Sequence, residues 1–506
     1  MAFFLAVVML LGVLPVQAAS ATDAVADPLR YGRQALARED NAGSLLFAYT
    51  QLATGIAVAA ERVTVYDSAH WVSPEEFQTV LEAVISDFPE FFWIGSNYGM
   101  SWDGTRVLEF MPQYSVTGSE LETAQAELET AADRLLVGLE GLSDYEIALQ
   151  LHDRLTARVT YAFGPNHQTV YGALVDGQAV CNGYAAAYQY LLHRLGIPAW
   201  KVSGSGINPN TGELESHAWD IVYLDGAWYH TDPTWDDQDA TGYAFYSYLN
   251  VTTAQIGTDH VMDTFFAKHA PVCTATAANY YTVNTAQVLT AFSVEATVAA
   301  MQATGGSAAR FCVTGDIDAF LSDWQTNALT VAQRIGVLGA FSYNYVVLGR
   351  EVLLQIMTER SVSGKLTSRG GTGEVTVELW KRGATAATYI ASLAAAAGET
   401  AYTLVGIRSG DYTMRVRKAG HVTGEYSVTV GVQDVTVDVL LHLIGDVTGE
   451  GKIDADDAVY TLYHVLLPDV YPVGQTVDYN GDSQLSSDDA VYLLYYTLLP
   501  QDYPLY

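Results

Sequence analysis

The tightest constraint in this chain lies between Tyr171 and Asp237, where a cysteine at a helix start is followed by a β-hairpin bearing a histidine and an aspartate. From Cys181 onward, Ala185, Tyr188, Leu191, Leu192 and Leu195 recur at helical spacing, and Gly196-Ile197-Pro198 stops the run. Gly177 and the Asn182-Gly183 pair favour a turn into that helix. A cysteine in a first helical turn feels the positive end of the helix dipole, which favours its thiolate. The plainer alternative is a buried structural cysteine, because free cysteines are among the most buried residues.

The hairpin favours chemistry. Ala218 to Leu224 and Trp228 to Thr234 alternate in character around Asp225-Gly226, a two-residue turn signal. With that turn Leu224 faces Ala227, His217 falls opposite Thr234, and Asp232 lies diagonal to His217 on the same face. A carboxylate could then orient the imidazole that activates the Cys181 thiol. His230 shares that face, as a second candidate base or as a cross-strand surface histidine; Asp220, Asp236 and Asp237 read as solvated turn charges.

Three motifs, Cys181-Asn-Gly-Tyr-Ala, His217-Ala-Trp and Trp228-Tyr followed by Asp232-Pro-Thr-Trp, stand in this order. The stretch from about Leu142 to Asp237 resembles the transglutaminase-like superfamily, whose members share a papain-like α+β core. The resemblance implies Cys181 as nucleophile, His217 as general base and acid, and Asp232 as the group that orients it, with no cofactor for catalysis. Asn182 and Asp220 stand at variable positions of the pattern, where substrate could be read. The oxyanion hole falls to the Cys181 backbone N–H and a second donor, for which Gln178 is the candidate.

Around this core a chain of 506 residues has room for several domains. Its 24 Lys and Arg against 57 Asp and Glu give a net charge of -33, which disfavours binding to nucleic acid and suits an exported protein. Phe3 to Leu14 is almost wholly apolar and small-residue cleavage sites follow, so residues 1–21 read as a signal peptide, although the usual positive start is missing. No later stretch is long and charge-free enough to span a bilayer.

Residues 28–140 read as an N-terminal α+β region packing on the core, with helices at Pro74 to Ser86 and Ser119 to Leu139 and an aromatic cluster at Phe88 to Trp93. Ser143 to Val159 is a further helix, on which His152 reads as a surface residue. Residues 141–357 read as the catalytic domain with a C-terminal extension, in which Asp259-His260 borders the cleft and Asp316 to Ile335 forms one long helix or a pair. Besides Cys181 the chain holds only Cys273 and Cys312, which leaves open a disulfide between them or two free thiols.

From 361 to 441 short alternating strands at Val362, Val375, Tyr402, Tyr412, Tyr426 and Val435 are separated by turns at Gly370-Gly371, Gly398 and Ser409-Gly410-Asp411. That spacing predicts a β-sandwich spacer, and it resembles the carboxypeptidase-regulatory-like or other Ig-like modules.

The C-terminal segment, 445–506, holds an internal repeat: Asp456-Asp-Ala-Val-Tyr through Leu466-Leu-Pro recurs from Asp488 through Leu498-Leu-Pro. Before each copy lies a twelve-residue acidic loop, Asp446–Asp457 and Asp478–Asp489, with oxygen donors at positions 1, 3, 5, 9 and 12. Ca²⁺ takes this spacing, though each loop here lacks the preceding helix of an EF-hand. The repeat is similar to a type I dockerin, a small all-α module that binds two Ca²⁺ and plugs enzymes into a cohesin domain of a scaffoldin. By that resemblance the first Ca²⁺ takes Asp446, Thr448, Glu450, the Lys452 carbonyl, Asp454 and Asp457. The second takes Asp478, Asn480, Asp482, the Gln484 carbonyl, Ser486 and Asp489. Ala455-Asp456 and Ser487-Asp488 fall where such modules read their partner.

Two functions follow as expectations. One is a secreted, extracellular, cellulosome-bound cysteine enzyme that hydrolyses or transamidates amide bonds of protein or peptide substrates. The other is a catalytically silent transglutaminase-like binding module on the scaffold, or an accessory component of polysaccharide degradation. The sequence offers neither a paired-carboxylate glycosidase signature nor a His-Glu-x-x-His zinc motif.

Overall fold

A computed structural model describes residues 29–505 apart from 209–210, 239–242, 304–306, 338–340, 369–372, 382–383, 385, 396–397, 469, 474–477 and 482–484. The segment read as a signal peptide, 1–21, and the Gly370-Gly371 turn lie outside the described residues. The chain divides into two compact units, Met1–Asp236 with Tyr248–Tyr280, and Asp237–Ser247 with Tyr281–Tyr506.

In the first unit, a serine starts each of two long amphipathic helices. Ser73 and Glu76 form a capping box ahead of Pro74–Asp87, and Ser143 and Glu146 form another ahead of Asp144–Arg158. The helix Cys181–Arg194 lies against the latter: Tyr188 Oη donates to the Ala148 carbonyl at 2.9 Å and Tyr184 Oη to the Val159 carbonyl at 3.0 Å. Tyr184, Tyr188, Leu191 and Leu192 are wholly buried. A large apolar side chain buried in this way contributes about 1.5–3 kcal/mol. The same core continues through Leu151, Leu155, Phe77, Val84 and Phe110, so the N-terminal helices and the cysteine helix share one interior. Phe91, Phe92 and Trp93 belong to that interior.

The cysteine helix covers a four-stranded antiparallel sheet ordered His260–Met262, Ala199–Ile207, Leu214–Leu224, Ala227–Thr231. Asp225 and Gly226, at φ 49° and 93°, make the expected tight turn, and Leu224 pairs with Ala227. The pairing then stops at Asp220 and Thr231, three residues short of the expected His217–Thr234 register. Pro233 has no N–H for a ladder, and Pro233–Asp236 coils into a short helix. His217 pairs instead with Gly204 on its other side.

The second unit contains a sheet ordered Val288–Leu289, Ala308–Val313, Glu351–Met357, Ser342–Leu348, packed with the helices Val294–Ala303 and Ile317–Arg334 around Trp324, Phe311 and Phe320. The stretch 281–357, read from sequence as an extension of the catalytic domain, thus has a core of its own. Two further four-stranded sheets follow. In one, Glu359–Ser368 lies between Gly398–Arg408 and the pair Val435–Thr436 and Val439–Leu441; the other runs Tyr389–Ala395, Gly373–Lys381, Gly410–Lys418, Gly424–Val430. Val362, Leu366, Val375, Val377, Leu404 and Met414 close the space between them. Last come the repeat helices, Ala455–Leu466 and Ser487–Leu498, built around Ala458, Tyr479 and Leu493. Among the described residues no helix is long and apolar enough to cross a membrane. All three cysteines are free thiols, Cys273 buried and the other two half-buried.

Candidate active site

Cys181 is the first residue of its helix, half-exposed, with Val180 as an extended N-cap. The approach is rigid. Gly177 turns the chain at φ 71°, Gln178–Ala179 pairs in parallel with Thr160–Tyr161, and Val180 N–H donates to the His167 carbonyl at 2.8 Å. Gly183 lets the helix start this close to its neighbours. A Cβ there would stand 2.7 Å from both the His167 carbonyl oxygen and the Ala179 Cβ, which no side chain tolerates. The candidate oxyanion donor Gln178 is half-buried on that short strand.

His217 is buried, and its Nε2 lies 2.7 Å from Asp232 Oδ2. Cys181 is the other group that acts on this imidazole and helps to keep it protonated. With Nε2 taken by the aspartate, Nδ1 is the nitrogen left for the thiol. Trp235 stacks on the imidazole at 4.4 Å between centroids and fixes its plane. Asp232 leaves the hairpin where pairing ends; its Oδ1 accepts from Thr234 N–H at 3.0 Å, and its own N–H donates to the Tyr248 carbonyl. Burial would lower the His217 pKa, but the charge and bond of Asp232, then Cys181, raise it to about 10. Burial would raise the Asp232 carboxyl, yet His217 and then His260 hold it well below the carboxylate range.

Several charged residues of the stretch are placed otherwise than the sequence suggested. His230 is a buried residue, neither a surface histidine nor a base: it accepts from Trp219 Nε1 at 3.2 Å on Nδ1 and meets Thr253 Oγ1 at 3.1 Å. Burial, then the nearby His260, pushes its pKa down to about 4. Asp220 and Asp236 are fully buried, not solvated. Burial pushes Asp220 up while Lys201, its cross-strand neighbour, opposes. Lys201 Nζ reaches Asn182 Oδ1, beside the cysteine, at 3.4 Å. His152, expected at the surface, is wholly buried between Asp153 at 3.2 Å and Asp236 at 3.3 Å. Burial would lower it, and the two carboxylates raise it to about 9. The sequence noted Asp259-His260 only as bordering a cleft; His260 in fact touches Asp232, with Nε2 at 3.3 Å from the oxygen that holds His217.

In the first C-terminal loop the candidate ligands converge. Single oxygens of Glu450, Asp454 and Asp457 lie within 4.8 Å of one another. Asp457 Oδ1 accepts from the Thr448 N–H and Oγ1, Asp446 Oδ2 accepts from Gly451 N–H at 2.8 Å, and Asp446 Oδ1 is buried without a hydrogen-bond partner. An all-oxygen donor set with an orphaned buried carboxylate oxygen fits a hard cation. Lys452 Nζ leans on Glu450 at 3.2 Å and contacts Asp454. In the second loop Asp489 accepts from Tyr479 and Ser486 N–H groups, both at 2.9 Å, and Asp478 from Gly481 at 2.8 Å. Asp482 and Gln484 lie outside the described residues. Asp454 and Ser486 also cap the two helices, and Ala455, Asp456, Ser487 and Asp488 are exposed on their first turns.

Residues 135–233, which contain Cys181, His217 and Asp232, match the model of the Transglutaminase-like superfamily, so the chain carries a transglutaminase-like domain. No curated protein matches the sequence. Among solved structures the chain is similar to a TGase at 14% identity, TM-score 0.20, over 32% of this chain and 49% of that one. It is also similar to a protein from Cytophaga hutchinsonii described as a putative cysteine protease, at 17% identity, TM-score 0.21, over 35% and 70%. A third is a mutant type II cohesin–X-dockerin complex from Acetivibrio cellulolyticus, at 18%, TM-score 0.15, over 27% and 94%. The chain thus spans about half the length of the first of these.

Proposed function

We propose that this protein is an exported cysteine enzyme that cleaves or transfers amide bonds of protein or peptide substrates and docks through its C-terminal repeat onto a cohesin domain. The observation that carries the enzyme reading is the 2.7 Å contact between His217 Nε2 and Asp232 Oδ2, beneath a cysteine at a helix start. Cys181 Sγ attacks the amide carbonyl carbon, and His217 gives its proton to the departing amine. The C–N bond breaks, and the acyl group stays on sulfur as a thioester. Water or a second amine, deprotonated by His217, then attacks the thioester and restores the thiol. The Cys181 N–H, at the positive end of its helix, serves the developing oxyanion, with Gln178 as the candidate second donor.

The docking reading is supported by an apolar stripe repeated on both C-terminal helices: Val459, Tyr463, Leu466 and Leu467 on one, Val491, Tyr495, Leu498 and Leu499 on the other, all exposed. Apolar side chains left in water at matched positions, next to exposed Asp456 and Asp488, suit a protein partner. A Ca²⁺ ion in each loop would offset the carboxylates of Asp446, Glu450, Asp454 and Asp457 and those of Asp478, Asp482 and Asp489, with Thr448, Asn480, Ser486 and the Lys452 and Gln484 carbonyls completing the sets.

Alkylation of Cys181 by iodoacetamide across pH tests the enzyme reading. Reactivity should persist well below the ordinary thiol range near about 8.5 and fall in His217→Ala. An ordinary thiol profile in both proteins would leave a silent binding module.

A further inference from the structure

Resting on the catalytic reading above, one neighbour of the triad calls for a role. His260 stands on the sheet edge His260–Met262, paired with Gly206. Its Nε2 is 3.3 Å from Asp232 Oδ2 and its Nδ1 is 2.6 Å from Asp259 Oδ1. Tyr248 Oη in turn donates to Asp259 Oδ2 at 2.8 Å. A neutral imidazole has one N–H and one lone pair, so it would turn that lone pair toward one of the two carboxylates. Only the imidazolium donates to both. The ring cannot swing away, because Trp235, Trp219 and Tyr248 enclose it with centroids 4.3, 4.8 and 5.5 Å distant.

We propose that His260 is a positioning residue of the thiol site: a fixed imidazolium, held charged by Asp259, that shares Asp232 Oδ2 with His217 and keeps the aspartate from binding the His217 proton too firmly.

The electrostatics have one sign. The groups facing His260 are Asp232, Asp259, His217 and His230, with the Tyr248 hydroxyl behind Asp259. His230 stays neutral there, so the cluster holds two carboxylates against two imidazoliums before the thiolate is counted. The His217 and His260 ring centroids are 5.3 Å apart. A positive charge at that distance makes the His217 proton easier to release to a leaving amine, and its field, acting past His217, favours negative charge on the sulfur that His217 serves. Asp259, with its side chain 24% exposed, links the cluster to solvent. Local pattern carries little sign of this pairing, because 28 residues separate His260 from Asp232.

The test uses full-length His260→Gln and Asp259→Asn beside wild type and His217→Ala, with the iodoacetamide rate of Cys181 followed across pH. The midpoint of the profile should move up by about one pH unit in His260→Gln, and in the same direction by less in Asp259→Asn, while the alkaline plateau rate stays within about twofold. Loosened packing alone would lower the plateau and leave the midpoint in place, so an unmoved midpoint in both variants, with wild type still dependent on His217, overturns the proposal. If His217→Ala leaves the wild-type profile unchanged, the catalytic reading itself fails. Circular dichroism of each variant confirms that the comparison is between folded proteins.

Discussion

Gly183, two residues past Cys181, is a motif position with a steric cause. Gly183→Ala forces a methyl group against the His167 carbonyl and Ala179, and should lower stability by about 1–3 kcal/mol. It should also slow Cys181 alkylation at neutral pH, because the strain falls on the first turn of the cysteine helix. Thermal unfolding and alkylation of the same sample check both; an unchanged melting temperature would mean that the helix start shifts freely. Cys181, His217 and Asp232 could be picked out of the sequence because each stands in a short motif whose spacing is nearly its own structure: a helix start, a strand, a residue just past the end of a hairpin. The neighbouring charges could not. Asp220, Asp236, His152 and His260 all occur in strings that ordinarily mark solvated turns or helix faces, and each is buried here by elements distant in the chain. Burial of a charge depends on what packs over it, which local pattern does not encode.

Among elements, the long amphipathic helices were readable from their period and the caps fixed their starts. The strand Tyr389–Ala395 was missed because its alanines carry no β-branched alternation. The C-terminal repeat is the opposite, since its duplication predicts matched helices and matched stripes. If both stripes can meet a cohesin, Tyr463→Ser or Tyr495→Ser alone should cost up to about tenfold in affinity, and the two together at least about a hundredfold. Titration calorimetry against a cohesin separates this from docking by one helix, where a single change would carry the whole loss. The loops make a second prediction. Asp446 Oδ1 is buried with no hydrogen-bond donor, which a bound cation would remedy. Calcium should bind the full chain with two equivalents, and Asp446→Ala should remove one of them. Calorimetric titration of the chelator-treated protein that found no calcium heat would exclude the assignment.

For the whole molecule, the acidic balance and the order of segments were open to view, while the division at Tyr280 and Tyr281 was not, because nothing in composition marks where one core ends and another begins. The first unit also carries a pH response that follows from its buried histidines. His152 is raised to about 9 and His217 to about 10, both by carboxylates that outweigh burial. A folded-state pKa above the unfolded value of about 6.5 means that the native form binds the proton more tightly. The resulting stability is complete below about 6.5 and is lost as pH rises through the folded values. Between pH 6.5 and 9 the His152 contribution should fall by about 3 kcal/mol at most, since one pKa unit corresponds to about 1.4 kcal/mol. Urea unfolding followed by the near-ultraviolet signal of Trp200 and Trp219, both buried in that unit, measures the slope. His152→Gln should be less stable than wild type near pH 6.5, and the difference should narrow toward pH 9, with His217 and His260 contributing to the slope that remains. A constant difference across that range would mean that His152 is held as a neutral ring and that Asp153 and Asp236 take their compensation from elsewhere.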